Sequence, residues 1–225
     1  MSAPAPRSGV SALPETLPIF PLAGVLLLPR GRLPLNIFEP RYLAMARDAM
    51  TGNHVIGMVQ PLDPQQEGER APAVYTTGCA GRVTDFEESD DGRYLITLTG
   101  LCRFAIVGEL PLSETGYRRV QATYESYAGD LDAPAEESVE RGQLLRALQS
   151  CFADDDDVAV DWESIERTPS DNLVTSLAMM LPFSPSEKQA LLEARDLAER
   201  ASVLVALMEM MAASDHAGGE ETSVQ

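Results

Sequence analysis

Leu17–Tyr42, LPIFPLAGVLLLPRGRLPLNIFEPRY, sets eleven aliphatic residues and five prolines in one segment, a combination too broken for a helix. Proline lacks the N–H that a helix interior or a central strand must donate, so Pro18, Pro21, Pro29 and Pro34 confine the segment to edge strands and turns. The reading is strand, bend, strand. At the end of the run, Pro40 in Glu39-Pro40-Arg41-Tyr42 stands where a first helical N–H would have no partner anyway. A helix over 40–51 follows, continuing through Leu43 and Met45 and ending at Thr51-Gly52-Asn53.

Outward from this stretch the chain first stays extended. His54–Gln60 is apolar and β-branched, as a buried strand requires, and Ala73–Phe86, Arg93–Thr99, Leu101–Leu110 and Tyr117–Tyr127 follow at the spacing of a mixed barrel. Ser89-Asp90-Asp91-Gly92 supplies a hairpin turn, since Asp and Gly tolerate the positive φ of tight hairpins. The gap at Gly100 reads as a second tight turn. A hairpin centred between Asp90 and Asp91 would set Cys79 opposite Cys102. Apolar strands in this number must close on themselves or be covered, because open apolar edges aggregate.

Near Ala128–Pro134 the apolar period changes from two to 3.6, and AGDLDAP supplies the turn residues of a linker. Leu144, Leu145, Leu148, Cys151 and Phe152 mark one helix, before an Asp154–Asp157 run. That run lacks the alternating ligands and the glycine of a calcium loop and reads as a solvated turn. Thr168-Pro169-Ser170-Asp171 and Ser184-Pro185-Ser186-Glu187 each offer a hydroxyl N-cap, a proline at N1 and a carboxylate at N3. Asp196 and Glu199 cap a last helix to about Met211. The expected class is α+β: a disordered arm over 1–14, a β-barrel over 15–128, a helical bundle over 135–212 and a disordered tail over 213–225.

The net charge of −18 is unevenly placed. Residues 1–124 carry 11 basic and 13 acidic side chains, and residues 125–171 carry 3 and 14. Such an acidic belt repels phosphate backbones, which argues against nucleic acid as a partner, and its plainest role is a solvated surface. No apolar run reaches the roughly 18 residues of a membrane span, and MSAPAPRSGVSALPET lacks the basic and apolar regions of a signal peptide. The expected location is cytoplasmic. Cys79, Cys102 and Cys151, an odd number without CxxC spacing, fit neither a disulfide framework nor a zinc knuckle and are expected reduced.

The segments FPL at Phe20–Leu22, IFEPRY at Ile37–Tyr42, GRYLITLTGLCRF at Gly92–Phe104 and EKQALLEARDLAER at Glu187–Arg200 resemble, in order and spacing, the Lon protease N-terminal, substrate-binding domain. The resemblance covers about residues 15–212 and points to a stand-alone bacterial form without the ATPase and peptidase domains. It implies a PUA-like pseudo-β-barrel followed by an α-helical bundle, and a part in recognising unfolded or tagged proteins. A Lon ATPase needs a Gly-Lys-Ser/Thr phosphate loop and its peptidase a Ser–Lys dyad. This chain has one lysine, Lys188, in the first turn of a predicted helix with no glycine loop before it. Its two histidines are His54, in an apolar strand, and His216, in the tail. The expectation is a protein that is not an enzyme and uses no cofactor and no metal.

The expected function is non-catalytic recognition of unfolded or extended polypeptide segments, with a separate protease as a further partner. The expected contact residues are Leu22, Val25, Leu27, Leu33, Leu35, Ile37, Phe38 and Tyr42. Glu39 and Arg41 read as a helix cap and an ion-pair partner rather than a binding lip, and Arg103 as structural. Met179, Met180, Met208, Met210 and Met211 fall at helical spacing and read as core. Trp162 is a packing anchor or an exposed contact. Two other classes stand beside this reading: a PUA-like small-ligand or RNA-binding module, and a structural subunit whose apolar strip is a homodimer interface.

Overall fold

The proline-rich stretch folds as strand β1 (Thr16–Pro21), a bend, strand β2 (Arg32–Ile37) and helix α1 (Pro40–Thr51). This is a computed structural model that describes residues 9–63, 65, 71–132, 139–152 and 161–220, with side chains as far as 213. Strands β3 (Val55–Val59), β4 (Thr77–Glu88), β5 (Tyr94–Glu109) and β6 (Arg118–Thr123) follow. One sheet holds all six in the order β2-β5-β4-β3-β1-β6, and β6 pairs back onto β5. Five strands therefore close into a barrel, and β2 is left as an edge strand on the first half of β5. Only β1 and β3 run parallel.

Pro34 lies on the edge strand, as its missing donor requires. Strand β1 departs from that expectation, because it lies between β3 and β6. Its two ladders meet only at Ile19: Thr16–Ile19 pairs with β6 and Ile19–Pro21 with β3. Pro18 and Pro21 thus each have one side of the strand without a ladder, and an interior strand tolerates them.

Gly100 makes no turn. β5 runs through it as a single strand, and the glycine serves a close approach instead. A Cβ there would lie 2.0 Å from the Leu28 carbonyl oxygen. In that space Arg30 N–H donates to Gly100 O (2.8 Å) and Gly100 N–H donates to Gly31 O (2.9 Å), stitching the Leu28–Gly31 bend to β5. The Ser89–Gly92 turn forms as expected, with Gly92 at φ 79°. The hairpin, however, centres on Asp91, with Glu88 opposite Tyr94, and after irregularities between Val83 and Asp85 and beside Gly81 it sets Cys79 opposite Arg103 and Cys102 opposite Ala80. Adjacent ladder positions face opposite sides of a sheet, so the two thiols do not meet. None of the three cysteines is in a disulfide.

The barrel interior is filled by Leu17, Ile19, Ala80, Cys102, Phe104 and Tyr124 among others. Val10 and Leu13 pack against it from a 3-10 turn at Gly9–Ala12, and Tyr124 hydroxyl donates to Pro14 O (2.9 Å). The expected disordered arm is therefore ordered from residue 9, and its first eight residues lie outside the described ones. The expected linker is likewise held down as far as Asp132, its last two residues lying outside the described ones. Glu125–Leu131 forms a 3-10 segment whose Asp130 accepts from the backbone N–H, Nε and Nη2 of Arg103, each at 2.9 Å. Arg103, 4% exposed, also lies 4.7 Å from the Tyr127 ring centre. A guanidinium this buried needs such a fork, because an unpaired one would cost several kcal/mol.

The chain divides into two compact units, Met1–Ala133 and Pro134–Gln225. The second holds α2 (Arg141–Cys151), α3 (Trp162–Arg167), α4 (Ser170–Met180), α5 (Pro185–Glu193) and α6 (Leu197–Glu220). Ser184 and Glu187 form the expected capping box on α5. Thr168 does not cap α4: its hydroxyl donates to Ser164 O (2.8 Å) and closes α3. Asp196 and Glu199 cap α6 as read, but that helix runs on to Glu220, past the end set by its apolar pattern and into the expected tail. Lys188 is buried, and its ammonium donates to Met179 O (3.2 Å) in the last turn of α4, where a helix favours a cation. Met208 is core, whereas Met180, 80% exposed, and Met210 are surface residues, so the core assignment fails for those two. Trp162 is half-buried, and Asp154–Asp157 lies outside the described residues.

Candidate functional site

The barrel unit carries an apolar pocket of about 180 Å³ between the end of β1, the edge strand β2 and the start of α1. Phe20, Ile37 and Tyr42 are its buried floor, with the rings of Phe20 and Tyr42 4.2 Å apart and tilted by 35°. Leu22 and Leu35 are half-buried walls. Phe38, 63% exposed, stands at the rim, with the Arg93 guanidinium 5.9 Å from its ring centre. Period-two alternation explains the arrangement. Leu33, Leu35 and Ile37 share one face of β2, and Phe38 leaves the strand just before Pro40 starts α1.

The bend that carries Leu22 is fixed by a buried amide. Gln60 Oε1 accepts from Gly24 N–H (2.9 Å) and its Nε2 donates to Val25 O (3.0 Å), while Leu22 N–H donates to Val59 O (3.1 Å). Two side-chain bonds satisfy a group that would otherwise be costly to bury. Glu39 also lines the pocket. It holds the N-cap position of α1 but caps no helical N–H; its carboxylate accepts from Arg41 Nε (3.0 Å) and pairs with Arg41 Nη2 (2.9 Å). The ion-pair expectation for Arg41 holds, and the capping expectation for Glu39 does not. Arg41 in turn lies 4.6 Å from the Tyr42 ring centre.

Of the eight contact residues read from the sequence, the structure brings Leu22, Leu35, Ile37, Phe38 and Tyr42 into this one pocket. Val25 and Leu33 are half-buried outside it. Leu27 is buried in the core, where Gly81 leaves room for it; a Cβ at Gly81 would lie 2.6 Å from Leu27 Cδ2. On the other side of Pro34, Leu35 and Asn36, an open hollow of about 800 Å³ crosses β2, β5 and β4, with Phe86, Leu95, Asp85 and Glu87 in its lining. This hollow escaped the sequence reading. One signal for it is present there: Leu95 stands between Tyr94 and Ile96, an apolar residue out of phase with the buried side of its strand.

The two concavities differ in their polar groups, the hollow carrying Asp85 and Glu87 and the pocket only Glu39 as a charged side chain. No histidine, cysteine, serine or lysine lines the pocket, and Glu39 is committed to Arg41. Among the described residues no cluster of His, Cys, Asp and Glu could hold a metal ion, and no helix is long and apolar enough to cross a membrane. Elsewhere, burial and then the nearby Asp130 carboxylate push the Cys102 thiol up to about 12, so it stays protonated and inert at neutral pH. Burial lowers the Lys188 ammonium, but its place at the end of α4 is structural.

Residues 16–210 match the family model of the ATP-dependent protease La (LON) substrate-binding domain. The chain is 26% identical over 197 residues to Lon protease 2 of Myxococcus xanthus, covering 87% of this chain and 24% of that protein. It is 27% identical over 198 residues to the Lon protease of Anaeromyxobacter dehalogenans, covering 87% and 23%. The chain thus spans about a quarter of the length of these relatives. In fold it is similar to a Lon N-terminal domain protein from Xanthomonas campestris, at a TM-score of 0.59 and 24% identity, covering 85% of this chain and 97% of that one. The N-terminal domain of the Mycobacterium avium complex Lon protease is similar at a TM-score of 0.58 and 15% identity, covering 86% and 97%.

Proposed function

This chain belongs to the Lon protease substrate-binding domain family, and on that premise we propose that it is a non-catalytic module for recognising unfolded or extended polypeptide. The observation that carries this reading is the pocket beneath Phe38, apolar, open to solvent and bounded by a strand edge. An exposed phenylalanine beside buried aromatic walls offers apolar surface whose covering is worth about 25 cal/mol per Å². A volume of about 180 Å³ suits one bulky side chain and falls below the roughly 300–1,000 Å³ of ordinary small-molecule sites. The net charge of −18 tells against RNA.

In this reading the protein acts in the cytoplasm and hands bound chains to a separate protease. The lone Lys188 supports a non-enzyme, since its ammonium is occupied at the end of α4 with no glycine loop before it. The test is a titration of labelled, reduced and unfolded protein against the purified chain, with ATP hydrolysis and casein cleavage measured alongside. Saturable binding without either activity is expected. Activity abolished by Lys188→Ala in a chain that still folds would sink the non-enzyme reading, and absence of binding would sink the recognition reading.

A further inference from the structure

The hollow beyond β2 differs from the pocket in charge. From Asp85 to Asp91, DFEESDD, the outer half of the β4–β5 hairpin carries five carboxylates. Arg32 pairs with Asp85 (3.1 Å) and Arg93 with Asp91 (2.8 Å), but Glu87 and Asp90 form ion pairs with none of the described residues. Glu87 shares a cross-strand row with Leu95 and Asn36, and Asp85 shares one with Thr97 and Pro34. The carboxylates therefore lie on the same face as the out-of-phase Leu95 and line the hollow. Pocket and hollow meet along Pro34–Asn36, where β2 has no strand partner on its outer side among the described residues.

We infer that an extended polypeptide crosses the β2 edge, its bulky apolar side chain entering the Phe38 pocket on one side and its lysine or arginine lying in the hollow on the other, against Glu87. The inference rests on the recognition reading above and narrows its substrate class. Charge complementarity selects the occupant, since Arg32 already holds Asp85 while Glu87 in the hollow's lining has no ion-pair partner among the described residues. Spacing follows from the sheet. From β2 to β4 is two strand separations, about 10 Å, so an extended chain that comes over the β2 edge from the pocket needs at least about three residues to reach Glu87. Proline at 34 removes an N–H that the edge strand would otherwise offer, so side-chain capture governs binding more than strand addition does.

The test uses fluorescence anisotropy on the full chain with short serine-rich peptides, each holding one phenylalanine and a lysine, glutamine or glutamate about three to six residues to either side. The lysine peptide should bind about three- to five-fold tighter than the glutamine peptide, the glutamate peptide weaker by a similar factor, as one partly exposed ion pair allows. Glu87→Gln, at an exposed position, should level the series, and so should high salt. Equal affinities across the series in the wild type, with binding still lost in Leu35→Asp, would overturn the basic preference and leave peptide recognition standing. A preference that survives Glu87→Gln would overturn its assignment to this hollow. No binding by any peptide would end both readings, and a dimer on a sizing column that Leu35→Asp dissociates would then give the face to a second copy.

Discussion

Asp130 and Leu35 set the two energy scales of single residues in the barrel unit. Asp130 takes three donor contacts from Arg103, and removing its charge deprives a guanidinium buried against Tyr127 of the carboxylate it is forked onto. Asp130→Asn should cost about 3 kcal/mol in urea unfolding. Replacing Arg103 and Asp130 together by apolar residues should cost less than that, because no orphaned charge remains; a double change costing the sum of the two single ones would refute the pairing argument. Leu35 is half-buried in a pocket wall, so Leu35→Asp should lose about 1 kcal/mol of stability while weakening peptide binding at least ten-fold. A variant that fails to fold would place Leu35 in the core. Thiol chemistry gives an independent check at this scale: unfolded protein should titrate three thiols, while in the native state Cys79 and Cys102 react slowest, being fully buried.

Among the elements, β5 decides the shape, and Gly100 and Glu109 are where it is most exposed to change. Gly100→Ala puts a methyl against the Leu28 carbonyl, a backbone contact with nowhere to retreat, whereas Gly108→Ala meets nothing within 4 Å. The first should cost several kcal/mol and the second under about 1 kcal/mol. Toward the end of β5, Glu109 accepts from Arg118 Nε (2.7 Å) and Nη2 (2.9 Å) on β6, and this fork holds the Glu109 carboxyl below its ordinary range. A lowered folded value means stability that is present above pH about 4.5 and lost as pH falls through the folded value. The melting difference between wild type and Glu109→Gln, about 1 kcal/mol for a half-exposed carboxylate, should therefore vanish in acid; a constant difference would separate the carboxylate charge from the effect. The sequence exposes these elements unevenly. Alternation and proline placement announce β1, β2 and α1, because both are local. The passage of β5 through Gly100 and the Arg103–Asp130 fork depend on what crosses from elsewhere in the chain, and a lone glycine looks the same as turn and as clearance. Five residues of the pocket were legible for that reason: they lie within the one segment Leu17–Tyr42. The acidic hollow joins three strands and could be seen only once their register was known.

Across the whole molecule, net charge and aromatic placement divide the chain in the same way as its cores. The near-neutral first part forms the barrel, and the acids concentrate from Glu125 onward, so solubility rests chiefly on the second unit. All six tyrosines, Tyr42 to Tyr127, lie in the first unit, and the single tryptophan, Trp162, lies in the second. Intrinsic fluorescence therefore reports each unit separately without labels. Each unit has its own buried core, Phe104 and Ile19 in one, Leu148 and Leu204 in the other, and a core is what sustains a cooperative transition. Gly100→Ala, which strains only the first core, should thus lower the urea midpoint seen by tyrosine and leave the Trp162 midpoint within error of wild type. A converse variant, Leu148→Ala, removes a side chain from the α2 core at a cost of about 2–5 kcal/mol and should move the Trp162 midpoint alone. If either variant shifts both signals by the same amount, the two cores unfold as one cooperative body, and the independence drawn from each unit's having its own core is wrong.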